Sequence, residues 1–164
     1  MTESGITFTV DATQPSHQRI KVEIQIKAPF LKPKLKLSFP RWVPGSYFLR
    51  EPIQHVTALS VTNDSGDALP FSRKDVDSIV ISNVQSINHV TVKYELLAVD
   101  LSVRSNHFDH THLHMMPPFT WFLPTSGIET ERMNLQHSIQ FKLPKSWTVT
   151  TQLNPVGIKE NDDM

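Results

Sequence analysis

Alternation of apolar and polar residues with a period of two is the feature that most constrains the fold of this chain. In the segment HQRIKVEIQIKA, the apolar residues Ile20, Val22, Ile24 and Ile26 fall on one face, and the residues between them are charged or polar. Successive side chains of a strand point to opposite faces, so this spacing predicts a strand with one buried face. The same pattern recurs in KLKLSF, HVTALSV, SIVIS, HVTVKYELLAV, QHSIQFKL and WTVTTQL.

Turn-forming residues separate these predicted strands. They include Lys32-Pro33, Pro44-Gly45, the Asn-Asp-Ser-Gly run ending at Gly66, Pro117-Pro118 and Ser126-Gly127. Only SYFLREPIQ has room for a helical turn or two, and Pro52 would end it. Many short strands without a helical repeat predict an all-β fold, an antiparallel β-sandwich formed by a single domain.

The length of 164 residues fits one domain, and the composition excludes several classes of function. Sixteen basic and sixteen acidic residues balance, so we expect no nucleic-acid partner and no binding to an anionic membrane. No cysteine is present, which excludes a thiolate nucleophile and cysteine-ligated zinc. The sequence shows no signal peptide and no apolar run of about 18 residues, so the expected location is cytoplasmic, without a membrane span.

The segment PRWVPGSYFLRE, residues 40–51, concentrates unusual residues: two prolines, a glycine, three aromatic residues and two arginines. A serine nucleophile at Ser46 would need small neighbours, as in G-x-S-x-G, but Phe48 lies two places after it. Pro44-Gly45 instead predicts a tight turn. Two interpretations of the aromatic cluster remain open: a buried corner of the core, or an interaction surface.

The segment HFDHTHLHMM is a second candidate site. If it were a strand, His110, His112 and His114 would share one face, with neighbours about 6.5 to 7 Å apart. Two such imidazoles could share a zinc ion, with Asp109 or His107 as further ligands. A solvated, pH-sensitive histidine surface is the alternative interpretation. The chain contains no H-E-x-x-H sequence, so it carries no recognisable catalytic metal site.

Several blocks taken together resemble a known family. They are P-x-W-x-P-G-S-Y-x-x-R, which ends at Arg50, then His55-Val56, YELLAVDLSVR, which ends at Arg104, Asp109, and LPKSWTVTTQL. In this order and spacing they resemble the N-terminal domain of glycyl aminopeptidases, zinc metallopeptidases that also carry a PDZ domain. The sequence departs from the family pattern at Pro52 and near Ile79, and residues 110–116 match nothing in it.

The resemblance implies a non-catalytic β-rich domain that packs on the catalytic domain of the same parent chain and helps to form the wall of the peptide-substrate cleft. It implies zinc in the parent enzyme and no cofactor held by this chain. Residues 1–155 are expected to form the domain, and residues 156–164 an acidic tail or linker towards the catalytic domain. The expected interface or cleft residues are Trp42, Pro44, Gly45, Ser46, Tyr47, Arg50 and Arg104.

Three alternatives stay open at this stage. Arg104 could form a simple ion pair with Asp100 or Asp109. The domain could be an independent module that binds a peptide or protein by a sheet edge. It could also be a metal-binding protein that uses the histidine cluster. Neither the substrate of the parent nor the oligomeric state follows from the sequence.

Overall fold

The computed structural model describes residues 5–30, 32–128 and 135–156. Within these ranges the chain forms strands, three 3₁₀ segments (Pro15–His17, Pro52–His55 and Pro117–Phe119) and no α-helix. The strands are β1 Gly5–Asp11, β2 Arg19–Lys27, β3 Lys34–Ser38, β4 Val56–Asn63, β5 Phe71–Asp75, β6 Ser78–Ser82, β7 His89–Leu97, β8 His107–Phe108, β9 Leu113–His114, β10 Leu123–Ser126 and β11 Gln136–Lys142.

The larger sheet has five strands in the order β11-β1-β2-β7-β4. Strands β1, β2, β7 and β4 pair in antiparallel fashion, whereas β11 lies parallel to β1. The alternation in β2 is the predicted one, because Ile20, Val22, Ile24 and Ile26 are all buried. Strand β1 shows the same alternation and was not among the predicted strands.

The smaller sheet has four strands in the antiparallel order β10-β3-β6-β5. Strand β5 is exposed along its whole length, and its sequence accordingly lacks an alternation of apolar and polar residues. A positive φ of 102° allows Gly127 to pass directly over the backbone of Lys34 and Leu35 at the end of β10. A side chain at this position would overlap β3, which explains why the turn requires glycine.

Inward-facing residues of both sheets belong to one hydrophobic core. At its centre Phe39, which follows β3, lies with its ring centre 4.2 Å from that of Phe122 in a tilted arrangement, and both rings contact Tyr94 of β7 edge to face. These aromatic contacts join the two sheets and contribute about 0.5 to 1.5 kcal/mol per pair beyond burial. The prediction of an all-β, sandwich-like single domain is confirmed.

One strand prediction is wrong, and the strand considered for residues 110–114 is not formed. The segment Trp147 to Leu153 forms no strand: Trp147 packs edge to face on Phe108, and the residues after it are exposed and offer no face to bury. Residues 110–114 do not form a continuous strand either, because a tight hairpin joins β8 to β9.

The described residues contain no helix with the length and apolar character of a membrane span. Residues 157–164, the greater part of the predicted acidic tail, lie outside the described residues. The domain boundary near Pro155 therefore stays a prediction.

Candidate functional site

Residues 40–51 form a loop that is closed by its own backbone. The Arg50 amide donates to the Arg41 carbonyl at 2.8 Å, and the Ser46 amide donates to the Val43 carbonyl at 3.1 Å. Gly45 adopts a φ of 83°, which a type II turn requires at this position and which glycine adopts without strain. The prediction of a tight turn at Pro44-Gly45 is confirmed.

Ser46 has a structural role in this loop. Its hydroxyl lies 3.2 Å from the Phe48 carbonyl and 3.4 Å from the Phe48 amide, and the residue is buried. The Trp42 indole donates to the Ser46 carbonyl at 2.7 Å. The serine therefore shapes the loop through backbone contacts, and these contacts provide no general base to activate its hydroxyl.

The large apolar side chains of this loop face solvent. Trp42 is 55% exposed and Tyr47 is 99% exposed, and Phe48 and Leu49 are exposed as well. The interpretation of this cluster as a buried corner of the core is wrong for these residues. Several large exposed apolar side chains in one loop are typical of an interaction site.

A cleft of about 170 Å³ opens beside the loop and joins two of the sequence motifs. One side carries Arg50 and His55, from the first motif. The other carries Asp100 and Arg104, from the DLSVR segment. The structure thus places next to each other two blocks that lie about fifty residues apart in the sequence.

The two arginines of the cleft differ in their surroundings. The Arg50 guanidinium lies 5.9 Å from the centre of the Phe48 ring, a cation–π contact, and its Nε is buried without a partner among the described residues. Arg104 is exposed, and in the part of the chain that the structure describes its guanidinium forms no ion pair. The alternative that Arg104 pairs with Asp100 or Asp109 is wrong, because neither ion pair forms among the described residues, and Asp109 lies against His107 instead. Arg104 thus remains available to a ligand or partner.

The DLSVR segment also carries exposed apolar side chains. Leu101 and Val103, which alternate with the polar residues of this segment, are both exposed. We call the exposed side chains of the two motifs, together with the two arginines that line the cleft (Arg50 and Arg104), the cleft face: Trp42, Tyr47, Phe48, Leu49, Arg50, Leu101, Val103 and Arg104.

A buried polar network supports the base of this cleft, and sequence reasoning missed it. Asn106 donates to the Phe119 carbonyl and accepts from the Met116 amide at 2.8 Å. The Thr120 hydroxyl lies 3.1 Å from the Asn106 side-chain oxygen, and Tyr94 donates to the Thr120 carbonyl at 2.6 Å. Burial raises the pKa of Tyr94 far above its ordinary value, so the phenol stays protonated and donates this bond. An isolated asparagine in the sequence gives no signal for such a network.

The hairpin β8–β9 positions the histidines differently from the prediction. His110 and His112 lie in the turn, and only His114 lies in a strand, where it pairs with His107. The turn forms because the Asp109 carboxylate accepts from the amide and hydroxyl of Thr111 and from the His112 amide. These local hydrogen bonds stabilise the turn in preference to an extended strand. His107, Asp109 and His112 thereby come together, with one ligand atom of each within 4.8 Å of the others.

The Asp109 carboxylate is strongly favoured in its ionised form. The hydroxyl and amide of Thr111, followed by His107 and the His112 amide, hold its pKa well below the ordinary range of aspartate. His107 Nε2 lies 3.1 Å from one carboxylate oxygen, Oδ2, and the His107 and His112 rings are 5.1 Å apart. This arrangement is a fixed anion flanked by two imidazoles.

Residues 7–163 match the family model of the Peptidase M61 N-terminal domain. The chain belongs to this family. The resemblance to the N-terminal domain of glycyl aminopeptidases is therefore confirmed, and the chain is a peptidase-associated N-terminal domain. No curated protein matches the chain.

The fold of this M61 N-terminal domain is similar to part of a solved aminopeptidase. A crystal structure of an aminopeptidase N family protein from Idiomarina loihiensis superposes with a TM-score of 0.73 at 22% sequence identity. The match covers 85% of this chain and 22% of that chain. At this identity the likeness is one of fold, and the M61 N-terminal domain spans about a fifth of that aminopeptidase.

Proposed function

We propose that this chain is the non-catalytic N-terminal domain of a zinc-dependent aminopeptidase of the glycyl-aminopeptidase kind, and that its cleft face docks on the catalytic domain of the same parent chain. The observation that carries the proposal is the convergence of two family motifs on one exposed cleft. Aromatic and arginine side chains are the residues that protein interfaces enrich. An exposed tyrosine and an arginine without an ion pair cost little to leave in solvent and can contribute strongly when buried by a partner.

The cleft face would also form part of the wall of the peptide-substrate cleft. Its two guanidiniums, those of Arg50 and Arg104, suit a carboxylate or a peptide carbonyl, and its apolar rim would exclude water from the neighbouring reaction site. Zinc, if bound in the parent, would supply an activated water. Its ligands would come from the catalytic domain, since the present sequence has no H-E-x-x-H. The family resemblance extends the proposal to a PDZ domain in the parent, and the cytoplasmic location expected from the sequence pattern is part of the proposal as well.

The test is a double variant of the cleft face, Tyr47→Ser with Arg104→Ala, made in this 164-residue chain and in the longer enzyme. Both side chains are exposed, so we expect the urea unfolding curve of the chain to stay unchanged. Docking to the separately produced catalytic domain, measured by calorimetry, should weaken about tenfold or more. The kcat/KM of the longer enzyme for Gly-p-nitroanilide should fall in parallel.

The matched control is Arg73→Ala with Val76→Ser. These two residues are exposed on β5 and in the turn after it, outside both sequence motifs and outside the cleft. The control removes the same charge and an exposed, smaller apolar side chain. Equal effects of the two double variants, or normal docking and kcat/KM in a folded cleft-face variant, would refute the proposal. Failure of the wild-type chain to bind the catalytic domain would instead favour an independent binding module.

A further inference from the structure

The hairpin β8–β9 carries a group of residues that the proposed docking function does not use. From its geometry we propose that His107, Asp109 and His112 form a zinc-binding site within this domain, separate from any catalytic zinc of the parent. The three side chains lie within six residues of one hairpin, and their ligand atoms lie within 4.8 Å of one another. Two imidazoles and a carboxylate form a donor set that suits Zn²⁺, with a fourth position left for water.

The contacts of His107 are compatible with a metal ion between its ring and Asp109. His107 Nε2 lies 3.1 Å from Asp109 Oδ2, and Nδ1 lies 3.4 Å from the Val99 carbonyl. Both partners only accept, and a neutral imidazole has a single N–H. Without metal, Nε2–H can donate to the carboxylate. With a zinc ion on Nε2, the hydrogen lies on Nδ1, which can then donate to the Val99 carbonyl.

The bonds around the site match those that orient metal ligands. A ligating histidine commonly donates its other ring N–H to a backbone carbonyl, and Val99 provides that carbonyl for His107. On Asp109, the Thr111 amide, the Thr111 hydroxyl and the His112 amide all bond to Oδ1. Oδ2 is thereby left to face His107 and is free to bind the ion.

The ligand atoms are close enough for one ion after a modest inward movement of His112. In tetrahedral zinc sites with bonds of about 2.0 to 2.1 Å, neighbouring ligand atoms lie about 3.3 Å apart. The distance between His107 Nε2 and Asp109 Oδ2 is 3.1 Å, and the ligand atoms of the three residues lie within 4.8 Å of one another. The side chains of Asp109 and His112 are 34% and 46% exposed, so an ion can enter from solvent and keep a water ligand.

The His112 ring has a hydrogen bond that zinc on its Nδ1 would replace. This Nδ1 lies 2.8 Å from the Thr111 hydroxyl, which also lies 2.7 Å from Asp109 Oδ1. In the tautomer with a hydrogen on Nδ1, the ring donates to the hydroxyl and the hydroxyl donates to Asp109. Zinc on Nδ1 would replace the first of these bonds and leave the second in place.

Calorimetric titration of the chelator-treated 164-residue chain with ZnCl₂ tests the proposal directly. We expect saturable binding of one zinc per chain and a rise in the thermal midpoint that a chelator reverses. Substitution of Co²⁺ for zinc should give the strong visible absorption of a low-coordinate site. Asp109→Asn and His112→Ala should each weaken binding at least about tenfold, the loss that even a supporting residue of a metal site causes.

The matched control is His110→Ala, which removes a histidine from the same turn but not from the site. It should bind zinc like the wild type. Urea unfolding of each variant without zinc establishes that the hairpin change leaves the domain folded. Absence of saturable binding to the wild type, or equal weakening in His110→Ala and His112→Ala, would overturn the proposal. Detection by ¹⁵N NMR of a doubly protonated His107 that persists with excess zinc would overturn it as well.

Discussion

At the scale of the residue, aromatic side chains in this domain divide into two classes by burial. Phe122 is fully buried between Phe39 and Tyr94, whereas Trp42 is more than half exposed and held by one hydrogen bond to the Ser46 carbonyl. We therefore expect Phe122→Ala to lower the free energy of unfolding by about 3 to 5 kcal/mol. Trp42→Ala should lower it by only about 1 kcal/mol, the value of one hydrogen bond.

Urea denaturation of the 164-residue chain measures both losses. The comparison is informative because both changes remove an aromatic ring from the same protein. A loss for Trp42→Ala as large as that for Phe122→Ala would mean that the loop folds into the core, and the cleft face would then not be available to a partner.

At the scale of the element, the turns depend on glycine for two different reasons. Gly45 and Gly127 both have positive φ, but a Cβ on Gly45 would meet no atom within 4 Å, whereas one on Gly127 would lie 2.8 Å from the Leu35 Cα. Gly45→Ala should cost about 1 kcal/mol from the backbone conformation alone. Gly127→Ala adds an overpacking cost of about 1 to 3 kcal/mol, because β3 cannot move away without losing its pairing to β6.

Thermal unfolding of the two variants checks this difference, and each serves as the control for the other. Hydrogen exchange should show the loss of protection after Gly127→Ala in β3 and β10. Equal destabilisation by the two substitutions would show that the backbone conformation, not the contact with β3, makes glycine necessary at position 127.

At the scale of the whole molecule, the described residues present exposed aromatic and arginine side chains and no assembled catalytic group. The sequence has no H-E-x-x-H, and the Ser46 hydroxyl is bonded to the backbone of Phe48. We expect the purified chain not to hydrolyse Gly-p-nitroanilide above background, with or without added zinc. Hydrolysis that survives repurification and disappears in Ser46→Ala or His112→Ala would contradict the assignment as a non-catalytic domain.

The sequence by itself determined the strands with one buried face, since a period of two is a local property of the chain. Strands β2, β3, β6 and β7 were predicted because each alternates between core and solvent. The turn at Pro44-Gly45 was predictable for a similar reason, since the two residues restrict their own backbone angles. The family was identified from short blocks whose order could be read directly.

Only the tertiary structure decided which residues of those blocks are exposed and which of them lie close together. Exposure of Trp42 and Tyr47 depends on whether another segment covers them, and no local pattern records that. The cleft forms because β7 and the segments after it bring Arg104 next to Arg50, a contact between residues distant in sequence. The histidines were misplaced because alternation suggested a strand, whereas the Asp109 carboxylate bonds three groups of the next residues and turns the chain. Such contacts between particular residues decide where side chains meet. The periodicity of the sequence gives no information about them.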